Sequence, residues 1–443
     1  MKVFRVLRRT LPVLTLLLLG LAQPAAAAEG GFPGGGPGYP LEPGVWRLHG
    51  FSPALPADDL EPLRRVIANA RFVGLGESIH TSGGYYQMKD RVVRFLVQNM
   101  GFRAFGIEGP WRRTDLVNAY VQTCEGTPQE AQKPLFQVFQ SAEVGAMLQW
   151  MCEWNRAHPE DRIQLYGFDV QFQTAQDIQA LRAFLQRLGI GADDPRFAGF
   201  RACDGMDETF IPNRPYPAAS YQPCNEALTA VASLFDSREE EIVAQTSKED
   251  FAWARIALVS QQAWQEKIFF LFTSSFRSNS ARDRGMAYVA QAIHSLRFPH
   301  ARTALWAHNS HVAKGGDAST VRFNSMGTFL DADLGLQYTN FALASFQTSI
   351  DWFIEGEPGG CDSFLPFVPR PIETYLMNRG QGSALLADLR AQGGHAPFLE
   401  EGARYGIGGL RNLILGNHFD AILFLPHSPG MTPHAWVPCP LHD

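Results

Sequence analysis

The chain has 443 residues, of which 45% are hydrophobic and 19% charged, and its formal net charge is -6. A chain of this length can bury a large core and has room for two or three domains. Its acidic balance, with no Lys/Arg-rich run to neutralise phosphates, argues against a nucleic-acid partner.

Residues 1–28 have the layout of an export signal: Lys2, Arg5, Arg8 and Arg9, an apolar run from Leu11 to Ala22, then small residues ending at Ala26, Ala27 and Ala28. The apolar run is too short for a comfortable membrane span. Cleavage and release to a secreted or periplasmic location are therefore expected, with no membrane attachment afterwards. The segment carries four basic residues and no acid, so its loss takes the net charge from -6 to -10. Residues 29–45 are rich in Gly and Pro and read as a flexible leader. No later stretch approaches the ~20 uninterrupted apolar residues of a membrane helix. All six cysteines lie in the mature part, none in a CxxC pair, and an oxidising compartment favours their pairing. Proximity in sequence suggests Cys124 with Cys152 and Cys203 with Cys224.

Short β-branched or aromatic runs then recur, each preceded by a helix-like stretch and each running into a polar cluster. That alternation marks a βα-type parallel sheet. Arg71 to Leu75 leads into Gly76-Glu77-Ser78-Ile79-His80, and the segment from Gly83 to Met100 has helical spacing. Phe102 to Ile107 delivers Glu108, Ile163 to Tyr166 delivers Gly167-Phe168-Asp169, and Thr303 to Trp306 delivers Ala307-His308-Asn309-Ser310-His311. Phe341 to Phe346 and Ala421 to Leu425 read as strands without such a cluster. Between Asn225 and His300 the helical apolar period and the scarcity of Gly and Pro predict two or three long helices. Trp264, Phe269, Phe270, Phe272 and Phe276 in that span read either as helix core or as the wall of an apolar pocket.

Ligands of open parallel sheets bind outside the carboxyl ends of the strands, where loops converge. Four strand exits carrying Glu77, His80, Glu108, Asp169, His308 and His311 therefore point to one active site. Glu77 stands three residues before His80, so its carboxylate can orient the imidazole and leave the other nitrogen to take a proton. His308 and His311 put two rings in one loop, and with Glu77, Glu108 or Asp169 they could hold zinc, although no HExxH or other compact ligand motif occurs. The lack of GxSxG argues against a nucleophile elbow, and the lack of GxxxxGK[ST] against a phosphate loop.

With these residues in place, the chain resembles the erythromycin esterase family from roughly Phe72 to Leu425. The resemblance is carried by Gly76-Glu77-Ser78-Ile79-His80 with Tyr85, Tyr86 and Lys89, and by Gly101-Phe102-Arg103 through Glu108. It continues in Gly167-Phe168-Asp169, in Arg282-Asp283 with Met286, and in Trp306 to His311. It implies a three-layer α/β/α fold with a largely parallel central sheet, forming one catalytic domain over residues 46–443 with a helical elaboration over 225–300. It also implies that a small-molecule ester or macrolactone is cleaved by activated water, without metal or other cofactor. Macrolides, and through them antibiotic resistance, are the family's association. By carry-over His80 is the general base, a role that could pass to His308, and Glu77 and Glu108 orient the base or the water. His308 and His311 would bind or protonate the substrate oxygen, and Lys89, Asp169 and Arg282 would line the substrate site. Two departures stand out: Thr81 where glycine is frequent, and Lys89 where arginine is, which removes the option of a bidentate carboxylate pair. The residues alone leave two other readings open, a metal-dependent hydrolase and an exported ligand-binding protein without turnover.

Overall fold

Runs that are apolar on both faces suit parallel strands, which are covered on both sides. Six such runs form one side of a nine-stranded sheet. The computed structural model describes residues 40–172, 174–191, 194–204, 217–315, 323–349, 351–353, 361–363, 371–390, 405–407, 410–413 and 415–434. The export-signal segment, most of the leader and Cys439 lie outside these residues. The sheet comprises β1 (Pro40–Glu42), β2 (Val45–Leu48), β3 (Phe72–Leu75), β4 (Phe102–Pro110), β5 (Gln164–Asp169), β6 (Arg302–Trp306), β7 (Tyr338–Thr348), β8 (Ala384–Asp388) and β9 (Ala421–Ser428). Their order is β1-β2-β8-β9-β7-β3-β6-β4-β5. From β9 to β5 every pairing is parallel, and β1, β2 and β8 add an antiparallel edge.

Successive strand residues point to opposite faces, and here they feed two cores. Val73, Leu75, Phe105, Ile107, Trp306, Phe341 and Leu343 pack on one face against α1 (Gly83–Met100), α2 (Thr114–Thr123) and α3 (Ala142–Ala157). Phe72, Ala104, Tyr166, Phe168, Leu305, Ala342 and Phe424 pack on the other against α4 (Thr174–Arg187), α5 (Ala218–Ser237), α6 (Lys248–Phe270) and α7 (Ser275–Arg297). The result is the expected three-layer α/β/α arrangement.

The last three helices account for the predicted helical span, although α5 begins at Ala218 and runs through Pro223. Of the aromatic residues there, Trp264 is buried, whereas Phe272 and Phe276, at the α6–α7 turn, are 46% and 48% exposed and belong to no core. Helix α1 ends at Gly101, whose φ of 70° gives the left-handed turn that closes many helices.

The antiparallel edge was not foreseen. Its strands have three to five residues, too few for a period to register, and β1 lies within the Gly/Pro-rich stretch. Pro40–Glu42, inside the stretch 29–45 read as a leader, form a strand of the described fold. Both expected disulfides are present, Cys124–Cys152 and Cys203–Cys224, closing sequence separations of 28 and 21 residues. Loops of that size limit the unfolded chain enough to stabilise the fold by about 3–4 kcal/mol each. Among the described residues no helix is long and apolar enough to cross a membrane.

Candidate active site

The sheet order assembles the cluster. Strand β6 comes late in the chain yet lies between β3 and β4, so the His308 loop lands between the loops carrying Glu77 and Glu108. A Cβ on Gly76 would sit 2.1 Å from Asn309 Oδ1 and 2.8 Å from the Phe341 carbonyl, so only glycine lets the β3 and β6 exits close together. Asn309 locks that approach. Its N–H donates to the Glu77 carbonyl at 2.7 Å, and its side-chain amide exchanges two 3.1 Å hydrogen bonds with Leu343 of β7.

Glu77 is fully buried and serves three donors. Oε1 accepts from His80 Nδ1 at 2.6 Å, and Oε2 accepts from Lys89 Nζ at 2.8 Å and from the Trp306 indole at 3.0 Å. Burial pushes its carboxyl up, but Lys89 and His80 outweigh that and leave it below the ordinary carboxylate value. Because a carboxylate only accepts, the proton of the His80–Glu77 bond is on His80 Nδ1, which in the neutral ring leaves the lone pair on Nε2. The His80 side chain is 32% exposed, and Nε2 has no hydrogen-bond partner among the described residues. Lys89 is buried against Glu77: it is 1% exposed and 4.5 Å from the Trp306 ring. Burial lowers its ammonium to about 8 even with Glu77 in contact.

Thr81 takes the position where glycine was expected, and its φ of 63° shows why glycine suits it. Its backbone is held on both sides, the N–H donating to Tyr86 Oη at 2.8 Å and the carbonyl accepting from Met431 N–H at 2.9 Å.

His308 caps the short helix α8 (Asn309–Val312). Nδ1 accepts from the Ser310 N–H at 3.1 Å and lies 2.8 Å from the Ser310 hydroxyl, so the ring proton sits on Nε2, which donates to the Ser78 carbonyl at 2.9 Å. Both nitrogens are occupied. Burial, with His80 and His311 nearby, lowers this imidazole to about 3. The rings of His80 and His308 have centroids 5.4 Å apart.

Glu108, Asp169, Arg282 and His311 form the second half of the cluster. Arg282 Nη2 donates to Glu108 Oε1 at 2.8 Å and bonds Asp169 as well. Glu108 Oε2 accepts from the His308 N–H at 2.9 Å. His311 Nδ1 donates to Asp283 Oδ1 at 2.7 Å, and Nε2 lies 3.3 Å from Glu108. Burial opposes charge on His311, yet Asp283 and Glu108 prevail and raise it to about 9. Arg282 Nη1 is 3.1 Å from the same Nε2, a hydrogen bond only in the neutral ring and a like-charge contact in the imidazolium. Burial likewise fails to neutralise Glu108, which His311 and Arg282 hold well below the carboxylate range.

The five residues expected at one cleft are thus joined through direct contacts. The sequence reading missed Asp283, which positions His311, and the role of Trp306 at Glu77. Both stand inside segments already singled out, but nothing in their spacing says which neighbour they bind. Among the described residues, the trio with His, Asp or Glu donor atoms all within 4.8 Å of one another is His49, Asp58 and Asp59, not any three of this cluster. Asp59 there is committed to Arg91.

The sequence profile of the family described as erythromycin esterase matches residues 97–428. The chain belongs to the erythromycin esterase family. The matched span contains Glu108, Asp169, Arg282, His308 and His311, and Glu77 and His80 precede it. Erythromycin esterase type II of Escherichia coli is 28% identical over 113 residues, which is 26% of this chain and 26% of that protein, so the alignment spans only about a quarter of the relative. A Bacillus cereus protein of known structure superposes with a TM-score of 0.69 at 20% identity, covering 88% of this chain and 96% of that one. A mutant of the erythromycin esterase EreC in its open conformation gives 0.66 at 19% identity, covering 85% and 95%. These structures share the fold, and the family profile makes hydrolysis the activity to weigh against the site.

Proposed function

We propose that the protein hydrolyses an ester or lactone of a small molecule by attack of water that His80 deprotonates, with no resident metal. One observation carries the reading. His80 has its N–H fixed on a buried carboxylate and its other nitrogen unpartnered among the described residues, whereas both nitrogens of His308 are engaged. In the step proposed, Nε2 of His80 takes a proton as the water oxygen bonds to the carbonyl carbon, and Glu77 steadies the imidazolium. Arg282 and protonated His311 supply positive charge for the developing oxyanion. As the tetrahedral intermediate collapses, His80 returns the proton to the leaving oxygen, giving acid and alcohol. The name of the Escherichia coli relative makes macrolactones the first substrates to try. Two disulfides and the signal-like segment support a secreted or periplasmic location.

The test is turnover of macrolides and simple aryl esters by the purified protein, with and without EDTA. His80→Ala is expected to lower kcat at least about 100-fold with KM within a few-fold. Near-normal turnover in His80→Ala together with loss in His308→Ala would exchange the two roles. Loss of wild-type activity on chelation would favour the metal-dependent reading.

A further inference from the structure

The chain leaves His80 through a conformation that threonine resists, with Thr81 at a φ of 63°. A base on such a turn stays aimed only while the turn is held. Tyr86, in the first turn of α1 and 1% exposed, is placed to hold it. Its hydroxyl accepts from the Thr81 N–H at 2.8 Å and donates to the Val138 carbonyl at 2.6 Å, which uses the phenol as acceptor and donor at once. Burial and the Glu77 charge push the phenol well above its ordinary value, so it keeps the proton that the second bond needs.

Val138 matters because of its neighbour. It lies in the 3-10 turn Gln137–Phe139, and the Phe139 ring meets the His80 ring edge-on, with centroids 5.7 Å apart and planes at 77°. One hydroxyl thus ties the residue that follows His80 in the chain to the turn whose ring lies against the imidazole. The Tyr86 ring extends the same wall. It lies 5.0 Å from the Trp306 ring, which is 5.7 Å from Phe139 and whose indole N–H donates to Glu77 at 3.0 Å. A single hydrogen bond, such as that from His80 to Glu77, fixes a distance more firmly than it fixes the plane of a ring. The backbone at Thr81 and the face of Phe139 supply the rest. The Thr81 carbonyl is held by main chain, the Met431 N–H at 2.9 Å, so the Tyr86 hydroxyl is the part of this clamp that a substitution can remove.

Resting on the reading of His80 as the general base, we propose that Tyr86 is a positioning residue for that base: its hydroxyl clamps the left-handed turn at Thr81 to the Phe139 turn and so keeps His80 Nε2 aimed at the attacking water. Buried as it is, Tyr86 acts through Thr81 and Phe139 rather than on the substrate.

Tyr86→Phe keeps the ring contacts and removes both bonds. Amide hydrogen exchange followed by NMR, which needs no turnover, should show the Thr81 N–H exchanging at least about tenfold faster in the variant. With an ester that wild type hydrolyses, kcat should fall at least about tenfold while KM stays within about twofold, as when a reacting group is slightly displaced. Glycine adopts positive φ without strain, so in a Thr81→Gly background the turn needs no clamp. There Tyr86→Phe should lower kcat by no more than about threefold. A merely structural hydroxyl would lower Tm equally in both backgrounds and leave the kcat of the folded enzyme alone. Unchanged exchange at Thr81 would overturn the proposal, as would a kcat of Tyr86→Phe within about twofold of wild type or an equal loss of kcat in both backgrounds. The double variant decides the matter even where the single one does not fold: turnover about tenfold or more below that of Thr81→Gly overturns the clamp. Faster exchange at Thr81 with no ester hydrolysed by wild type would uphold the clamp and sink the reading of His80 as a base instead.

Discussion

Glu77→Gln keeps the shape of the side chain and removes its charge, so it separates what holds the site together from what drives the reaction. It leaves Lys89 as an ammonium that is 1% exposed with no carboxylate in contact. Breaking a buried pair in this way costs about 3–5 kcal/mol. Lys89 has a partial escape, because it already titrates near 8 and loses its main support when Glu77 is gone. A lysine lowered in the folded state binds its proton less tightly there than in the unfolded chain, so stability rises with pH between the folded and unfolded values. In wild type that rise begins near 8. In the variant it begins lower, and between neutrality and pH 8 its deficit should shrink by up to about 1.4 kcal/mol per pH unit. The double variant Glu77→Gln/Lys89→Met removes both charges and should recover most of the stability, since apolar replacement of a buried pair is often neutral. Turnover should nonetheless stay down by about 100-fold or more, because His80 has lost the charge that favours its imidazolium. Urea unfolding at pH 6, 7 and 8, with initial rates on the same preparations, measures all of this. A single variant within about 1 kcal/mol of wild type at pH 7, or a double variant no more stable than the single, would refute the account.

The His311 pair gives the opposite pH dependence: its folded value, raised to about 9, means stability present below the unfolded 6.5 and lost as pH rises toward 9. Between pH 6.5 and 7.5, below the value near 8 about which Lys89 and Lys267 titrate, wild-type stability should fall by up to about 1.4 kcal/mol per unit, while His311→Asn stays nearly flat; parallel curves would show that Asp283 does not hold the charge. Thr81→Gly should raise stability by about 1 kcal/mol in thermal or urea unfolding, because a β-branched residue is strained at positive φ. A loss instead would mean that the packing of the Thr81 side chain, 8% exposed, outweighs the strain.

The parallel half of the sheet was legible because each of its strands is a run of apolar residues ending in a polar turn, the pattern that burial on both faces imposes. The site followed from the same pattern, since Glu77, Glu108, Asp169 and His308 all stand at or just beyond strand ends. The edge strands were not legible, because β1, β2 and β8 owe their place to pairing with distant partners, as in Ala384 opposite Leu48. The side of the cleft on which a charge falls was also hidden. Lys89 was expected to line the substrate site, and its hydrogen bond to buried Glu77 is a pairing that no spacing announces. One-dimensional spacing gives the face of a helix but not which neighbour fills it.

What separates the three histidines is environment rather than chemistry. His308 has a helix cap on one nitrogen and a carbonyl on the other, and burial lowers it to about 3, so near neutrality it is a poor proton acceptor. His311 lies only 6.4 Å away, centroid to centroid, but Asp283 and Glu108 raise it to about 9, so near neutrality it already holds its proton. Neighbouring titratable groups driven apart in this way tend to take different roles in one reaction. A neutral ring with fixed bonds suits a scaffold, and a charged ring beside Glu108 suits a donor to oxygen. Taking a proton from water needs a ring with an unpartnered nitrogen and a carboxylate waiting for its charged form. Of the three, His80 meets that description, through Glu77 at 2.6 Å.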